Sequence, residues 1–92
     1  SNVFVRMGST LMTPDLSHCG VAGITRQRIL GLSKLLGLKI TTEKITLEEL
    51  LQADEVVICN SLYGAFQVTR IEHKIWPKQD LAEKIRSIVT HD

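Results

Sequence analysis

Two glycines and a threonine stand where a helix is predicted to begin, and this combination can bind an anion. Gly20 and Gly23 come just before the apolar pattern of the helix, and Ile24 and Thr25 fall in its first turn. Glycine lets backbone N–H groups approach a ligand closely, and the helix dipole favours a negative charge there. These residues predict a phosphate-binding site. Simple N-capping of the helix accounts for the same residues, so both interpretations stay open.

A second polar pair, Asn60 and Ser61, ends an apolar run. Residues 56–59 are all apolar, which predicts a strand buried on both faces. Ligands of α/β proteins often bind where such strands end. A turn selected for its backbone geometry would use the same two residues. The pair is therefore a second candidate site, and it is as weak alone as the first.

The remaining patterns predict the elements that position these two segments. In chain order they are a hairpin of strands at 3–6 and 10–13, a helix to residue 36 stopped by Gly37, a strand at 38–42, a short helix with a Thr46–Glu49 capping box, the strand at 56–59, a strand at 66–71 and a final helix opened by Pro77. Trp76 and Phe66 are expected to close the core. Strands mixed with about three helices indicate an α/β (α+β) fold.

Composition excludes several functional classes. The chain has 92 residues, 43% of them hydrophobic, and a net charge of +1, which is typical of one small globular domain. Nothing in the charge pattern indicates a nucleic-acid partner, and no apolar stretch approaches the ~20 residues of a membrane helix. Cys19 and Cys59 are expected to stay reduced, and no zinc-type spacing predicts a metal site.

Three blocks together resemble the C-terminal part of the fold-type IV pyridoxal-phosphate enzymes. They are residues 13–20 (TPDLSHCG), 23–26 (GITR) and 53–61 (ADEVVICNS). The group includes branched-chain and D-amino-acid aminotransferases and 4-amino-4-deoxychorismate lyase. The resemblance extends from Ser1 to Val68, and it implies a D-amino-acid aminotransferase-like fold. It also implies that residues 1–92 are the C-terminal phosphate-binding part of a longer enzyme.

Within the group the chain is more similar to the lyase. Asp54, Glu55 and residues 58–60, followed by Leu62, match the lyase, whereas aminotransferases typically have Ser-Gly-Thr-Ala at 59–62. The resemblance implies conversion of 4-amino-4-deoxychorismate to 4-aminobenzoate and pyruvate, in folate biosynthesis, by a cytoplasmic homodimer. An aminotransferase of the same fold is one alternative, and a small non-catalytic α/β binding module is another.

The resemblance also implies which residues bind the cofactor, pyridoxal 5′-phosphate. They are Gly23, Ile24, Thr25, Asn60 and Ser61. Asn60 departs from the glycine of the aminotransferases, so its own role is open. None of the chain's lysines matches the catalytic lysine, which the resemblance places upstream together with the carboxylate that faces the pyridine nitrogen. The 92 residues are therefore expected to be inactive alone.

Overall fold

A computed structural model describes residues 2–14, 31, 33–60 and 64–90 of the chain. Its strands are β1 (Asn2–Met7), β2 (Thr10–Thr13), β3 (Lys39–Thr42), β4 (Glu55–Asn60), β5 (Gly64–Gln67), β6 (Arg70–Ile71) and β7 (Lys74–Ile75). Its helices are α1 (Leu47–Leu51) and α2 (Leu81–Thr90), and residues 31 and 33–36 are also helical. This mixture confirms the predicted α/β fold class. No helix within these ranges is long and apolar enough to cross a membrane.

The larger sheet has five strands in the order β3-β2-β1-β4-β5. β2 and β3 run parallel, whereas β1 is antiparallel to both β2 and β4, and β4 is antiparallel to β5. The predicted hairpin of the first two strands is confirmed, with Met7 opposite Thr10 and Gly8 at φ 60° in the turn. β1 is thus the central strand of the sheet.

A glycine ends the first helical segment as predicted. Gly37 has φ 66°, and its N–H donates to Lys34 O at 3.3 Å. The N–H of Leu38 donates to Ser33 O at 3.2 Å. Both hydrogen bonds are those of a Schellman motif, which uses a left-handed residue to satisfy the last carbonyls of a helix. β3 begins two residues later, so the predicted strand at 38–42 is also confirmed.

The predicted capping box at the start of α1 is present. The Thr46 hydroxyl accepts a hydrogen bond from the Glu49 N–H at 3.1 Å, and the Glu49 carboxylate accepts one from the Thr46 N–H at 3.3 Å. Two backbone donors that the helix leaves open are satisfied in this way.

Both faces of the five-stranded sheet carry apolar side chains. On one face, Phe4, Val57 and Ala65 pack against Leu81 and Ile85 of α2. On the other face a second cluster forms around Trp76, whose partners are Val5, Met12, Ala53 and Val56. The indole N–H donates to Ala53 O at 2.8 Å, so this buried polar group is satisfied. Trp76 closes the core as predicted.

Phe66 does not close the core, and β4 is not buried along its whole length. Phe66 is 46% exposed and Ile58 is 41% exposed. These two residues are paired across β4 and β5, on the face that Trp76 covers only at its other end. An apolar run in a sequence shows that a strand is mostly buried, but it does not show where the covering layer stops.

Two predicted boundaries were also wrong. The strand expected at 66–71 is divided: β5 ends at Gln67, and β6 pairs with β7 in a separate two-stranded sheet. The final helix begins at Leu81, not at Pro77. The reason is tertiary, because Gln67 donates to Pro77 O at 2.7 Å and accepts from the Gln79 N–H at 2.8 Å. These bonds tie Pro77 and Gln79 to Gln67 at the end of β5, so the segment does not join the helix.

Candidate functional site

β2 and β4 end at the same edge of the five-stranded sheet. Met12 on β2 and Val56 on β4 both pair with Val5, from opposite sides of β1. Because β1 is antiparallel to each of them, β2 and β4 run in the same direction. The chain therefore leaves the sheet after Thr13 and after Asn60 at one edge, and both candidate site segments follow these exits in the sequence.

The separation of the two exits follows from the register. One strand lies between β2 and β4, so they are roughly 10 Å apart. Thr13 is one residue beyond Met12, and this puts it level with Phe4 and Val57. Asn60 lies three residues further along β4, which adds about 10 Å along the strand direction. A few extended residues after Thr13 are enough to reach the level of Asn60.

The helical residues 33–36 end at the opposite edge of the sheet. Gly37 and Leu38 lead from them into β3, and Lys39 pairs with Thr10, the first residue of β2. Leu36 packs against the cluster that α2 covers, so this helical segment and α2 share one face of the sheet. Residues 36 and 38, just before β3, thus pack on the face of the sheet that α2 covers.

The end of β4 forms a hairpin with β5. Asn60, its last residue, is opposite Gly64, which has φ 84° and so a conformation that favours glycine. Arg86 reaches this end from α2 and donates from Nη1 to Ala65 O at 3.2 Å. Sequence reasoning missed Arg86, because its partner lies 21 residues away and no local pattern marks it.

Two carboxylates of the 53–61 block lie at the opposite end of β4. The Glu55 side chain is 5% exposed and accepts from Arg6 Nε at 2.7 Å. Its other oxygen accepts from the N–H of Leu81 at 3.4 Å, at the start of α2. Asp54 accepts from the N–H of Gly8 at 2.7 Å. These acids hold β4 to β1 and to α2, and they are remote from the two exits.

Most of the predicted cofactor-binding residues lie outside the described part of the chain. Gly23, Ile24, Thr25 and Ser61 are among these, and Asn60 is placed by its backbone as the last residue of β4. Their roles therefore stay predictions. What the structure adds is the common edge from which the two segments depart.

The six lysines are all exposed. They are Lys34, Lys39, Lys44, Lys74, Lys78 and Lys84. Lys84 contacts Asp80 at 3.4 Å, one turn back toward the start of α2. Lysine side chains are usually exposed. None of these six lies in a buried pocket of the kind that activates a catalytic lysine by desolvation.

Comparison with known proteins agrees with this arrangement. The family model for amino-transferase class IV matches residues 1–71, which include both candidate segments. Aminodeoxychorismate lyase from Vibrio harveyi is 38% identical over 78 residues, which are 82% of this chain and 29% of that protein. The Bacillus subtilis lyase is 40% identical over 72 residues, 78% of this chain and 25% of that protein. The mitochondrial branched-chain-amino-acid aminotransferase 1 of Arabidopsis thaliana is 33% identical over 82% of this chain and 21% of its own length.

Solved structures show the same relationship. The crystal structure of 4-amino-4-deoxychorismate lyase from Pseudomonas aeruginosa superposes on the whole chain with a TM-score of 0.74 and 34% identity, and the chain covers 34% of it. An aminotransferase from Brucella abortus, solved with the co-factor PLP, shares the fold with a TM-score of 0.75 at 22% identity. The chain thus spans between a quarter and about a third of the length of these three lyases. Members of this family depend on pyridoxal phosphate. By its sequence and its fold, the chain belongs to the class IV aminotransferase family.

Proposed function

We propose that this chain is the C-terminal, phosphate-binding part of a pyridoxal-phosphate-dependent aminodeoxychorismate lyase. The full-length enzyme converts 4-amino-4-deoxychorismate to 4-aminobenzoate and pyruvate, a step of folate biosynthesis. One observation carries the proposal most directly: β2 and β4 end at one edge of the sheet, and each is followed by residues that resemble a phosphate-binding segment of the family.

The first half of the proposed phosphate site is Gly23, Ile24 and Thr25. Residues 33–36 are helical and end at the edge opposite Thr13. We propose that the helix predicted from residue 24 begins near the exit of β2, as the family resemblance implies. N–H groups at a helix N-terminus and the Thr25 hydroxyl are suitable donors for a phosphate dianion. Gly23 permits the close approach of the backbone.

The second half of the site is Asn60 and Ser61. β4 brings Asn60 to the same edge, and the backbone donors and the Ser61 hydroxyl that follow are proposed to bind the same phosphate. Two groups of backbone donors that converge on one anion form the type of concave site that proteins use for phosphate. The chain's role is thus to anchor the cofactor and to orient it.

The reacting groups belong to the rest of the proposed enzyme. When bound, the cofactor ring supplies an electron sink for the chemistry at the substrate. Since all six lysines of this chain are exposed, we propose that the catalytic lysine and the carboxylate partner of the pyridine nitrogen lie upstream. On this proposal the 92 residues bind the phosphate end of the cofactor but do not catalyse the reaction.

The lyase is favoured over an aminotransferase by two observations. The lyases of Vibrio harveyi and Bacillus subtilis are 38% and 40% identical to the chain, and the Arabidopsis aminotransferase is 33% identical. Residues 58–60 also resemble the lyase. The test is to incubate the full-length protein with aminodeoxychorismate and to measure 4-aminobenzoate. Formation of 4-aminobenzoate at enzymatic rates is expected, whereas transamination of branched-chain 2-oxo acids without it would identify an aminotransferase.

A binding module without a cofactor is the alternative of another class. The full-length protein is expected to purify with visible absorbance from pyridoxal phosphate, or to gain it on titration, and a colourless protein that gains none would favour the module. A homodimer and a cytoplasmic location belong to the same proposal, and both rest on the family resemblance. Gel filtration coupled to light scattering tests the dimer.

A further inference from the structure

Arg86 lies on α2, but its side chain contacts Ala65 and Phe66 of β5 and lies close to Gly64. Nη1 donates to Ala65 O at 3.2 Å, and the guanidinium carbon lies 6.0 Å from the centre of the Phe66 ring. A Cβ atom added at Gly64 would lie 3.5 Å from Arg86 Cγ and 3.7 Å from Cδ. One side chain thus covers the first three residues of the strand that returns from the Asn60 end of β4.

This contact is placed where the sheet needs support. Gly64 is opposite Asn60, has a left-handed φ of 84°, and offers no side chain of its own for packing. A glycine loses more backbone entropy on ordering than any other residue, so a turn that ends in glycine gains most from an external contact. The aliphatic stem of Arg86 lies close to Gly64, and its guanidinium donates the hydrogen bond to the next carbonyl.

α2 provides a rigid base for Arg86. Leu81, Ala82 and Ile85 are 3%, 5% and 1% exposed, and they fix the helix against the sheet. Arg86 follows Ile85 directly, so the position of its backbone is set by the core. The link therefore runs from the buried face of α2, through Arg86, to the end of the β4–β5 hairpin.

We propose that Arg86 is a positioning residue for the cofactor phosphate. It fixes the start of β5 opposite Asn60, and through this strand pair it sets where the donors that follow Asn60 can lie. This inference rests on the proposed function, since it requires the phosphate to bind at that hairpin. Donors that are already ordered bind more tightly, because less conformational entropy is lost on binding. Arg86 lies beyond residues 1–71, the part that matches the family model.

Attraction between the guanidinium charge and the phosphate is a different mechanism, and two substitutions separate it from positioning. Arg86→Gln removes the charge but keeps an N–H donor and part of the stem. Arg86→Met keeps the stem and removes both the charge and the donor. Positioning predicts that the Gln variant retains most of the cofactor affinity, whereas charge attraction predicts equal losses in both variants. Lys84→Met is the matched control, because it removes one positive charge from an exposed residue of the same helix.

The experiment uses the full-length protein and two readouts. The first is the dissociation constant of pyridoxal phosphate, from the visible absorbance of the bound cofactor. The second is hydrogen–deuterium exchange of peptides covering residues 58–67 in the cofactor-free protein. Arg86→Met is expected to weaken cofactor binding about tenfold, the effect of one hydrogen bond from a charged group, and to speed exchange at the hairpin. Arg86→Gln is expected to stay within about threefold of wild type, and Lys84→Met is expected to match wild type in both readouts.

Three results would overturn the role of Arg86. They are unchanged affinity in Arg86→Met, equal losses in Arg86→Met and Arg86→Gln with unchanged exchange, and faster exchange with unchanged affinity. If Arg86→Met does not fold, Arg86→Gln is judged by the same two readouts. A large loss of cofactor affinity with unchanged exchange in that variant would count against positioning. A wild-type protein that binds no pyridoxal phosphate would overturn the proposed function itself, whereas a wild type that binds it and an unaffected Arg86→Met would overturn only this inference.

Discussion

The two ends of β4 differ in how they are held. At the Glu55 end, a buried carboxylate contacts Arg6 and the first N–H of α2, and Trp76 covers the sheet beside it. At the Asn60 end, Ile58 and Phe66 are 41% and 46% exposed. One end is fixed by buried contacts between distant parts of the chain. The other is less covered, and it is the end from which the proposed phosphate-binding residues depart. The buried stabilising contacts and the proposed binding residues are thus at opposite ends of one strand.

The largest effect on stability is expected from Trp76 at the Glu55 end. Trp76→Ala removes a side chain that is 3% exposed and leaves Ala53 O without its donor at 2.8 Å. We expect the free energy of unfolding of the full-length protein to fall by about 3–5 kcal/mol, as for other buried aromatic residues. Chemical denaturation measures this loss. A loss below about 1 kcal/mol would show that this cluster does not stabilise the sheet.

A smaller loss is expected from the carboxylate at the same end. Glu55→Ala leaves the Arg6 guanidinium without its partner at 2.7 Å and removes the acceptor of the Leu81 N–H. Because the Arg6 side chain is 22% exposed and keeps other partners, we expect about 2–3 kcal/mol. Glu83→Ala, an exposed acid in the first turn of α2, is the control and should cost under about 0.5 kcal/mol. Equal losses in the two variants would contradict a special role for Glu55.

At the Asn60 end the same kind of experiment tests backbone conformation. Gly64→Ala places a Cβ on a residue with φ 84°, which we expect to cost about 1–2 kcal/mol in unfolding free energy and to weaken cofactor binding. Gly31→Ala is the control, since Gly31 is helical and a Cβ there meets nothing within 4 Å. That control should be neutral or stabilising by up to about 1 kcal/mol. A neutral Gly64→Ala would show that the hairpin end tolerates other conformations.

The smallest effect is expected from Ile58, which shares one face of β4 with Val56. Val56 is 1% exposed and Ile58 is 41% exposed, and the two side chains point to the same side. Val56→Thr should cost about 1–2 kcal/mol, because it buries a hydroxyl, and Ile58→Thr less than about 1 kcal/mol. Thermal or chemical unfolding of both variants measures the two losses of unfolding free energy. The reverse order would mean that the Asn60 end of this face is the better covered one.

Local patterns predicted most of the elements correctly, and tertiary contacts caused the errors. Gly37 and the Thr46–Glu49 box were recognisable because their partners lie within a few residues. The start of the last helix was wrong because Gln67 bonds to Pro77 across the fold. The pairing of Arg6 with Glu55, 49 residues apart, could not be predicted from spacing.

The candidate site shows the same division. Its residues came from family-like blocks in the sequence, and each block alone has an ordinary structural explanation. That β2 and β4 end at one edge depends on the register of both strands with β1, which no local pattern contains. The contribution of Arg86 to this end was invisible for the same reason.

The most direct test of the central claim is whether the two half-sites bind one phosphate. Thr25→Val, Ser61→Ala and the double variant are compared with Thr42→Val, an exposed threonine at the end of β3, in the full-length protein. Dissociation constants are measured for pyridoxal 5′-phosphate and for pyridoxal, which lacks the phosphate. We predict that each single variant weakens binding of pyridoxal 5′-phosphate about tenfold. Binding of pyridoxal, and binding by Thr42→Val, should change little. The losses in the double variant should depart from additivity, because both hydroxyls contact one phosphate. Equal losses for the two forms, or no loss in Thr25→Val and Ser61→Ala, would contradict the account.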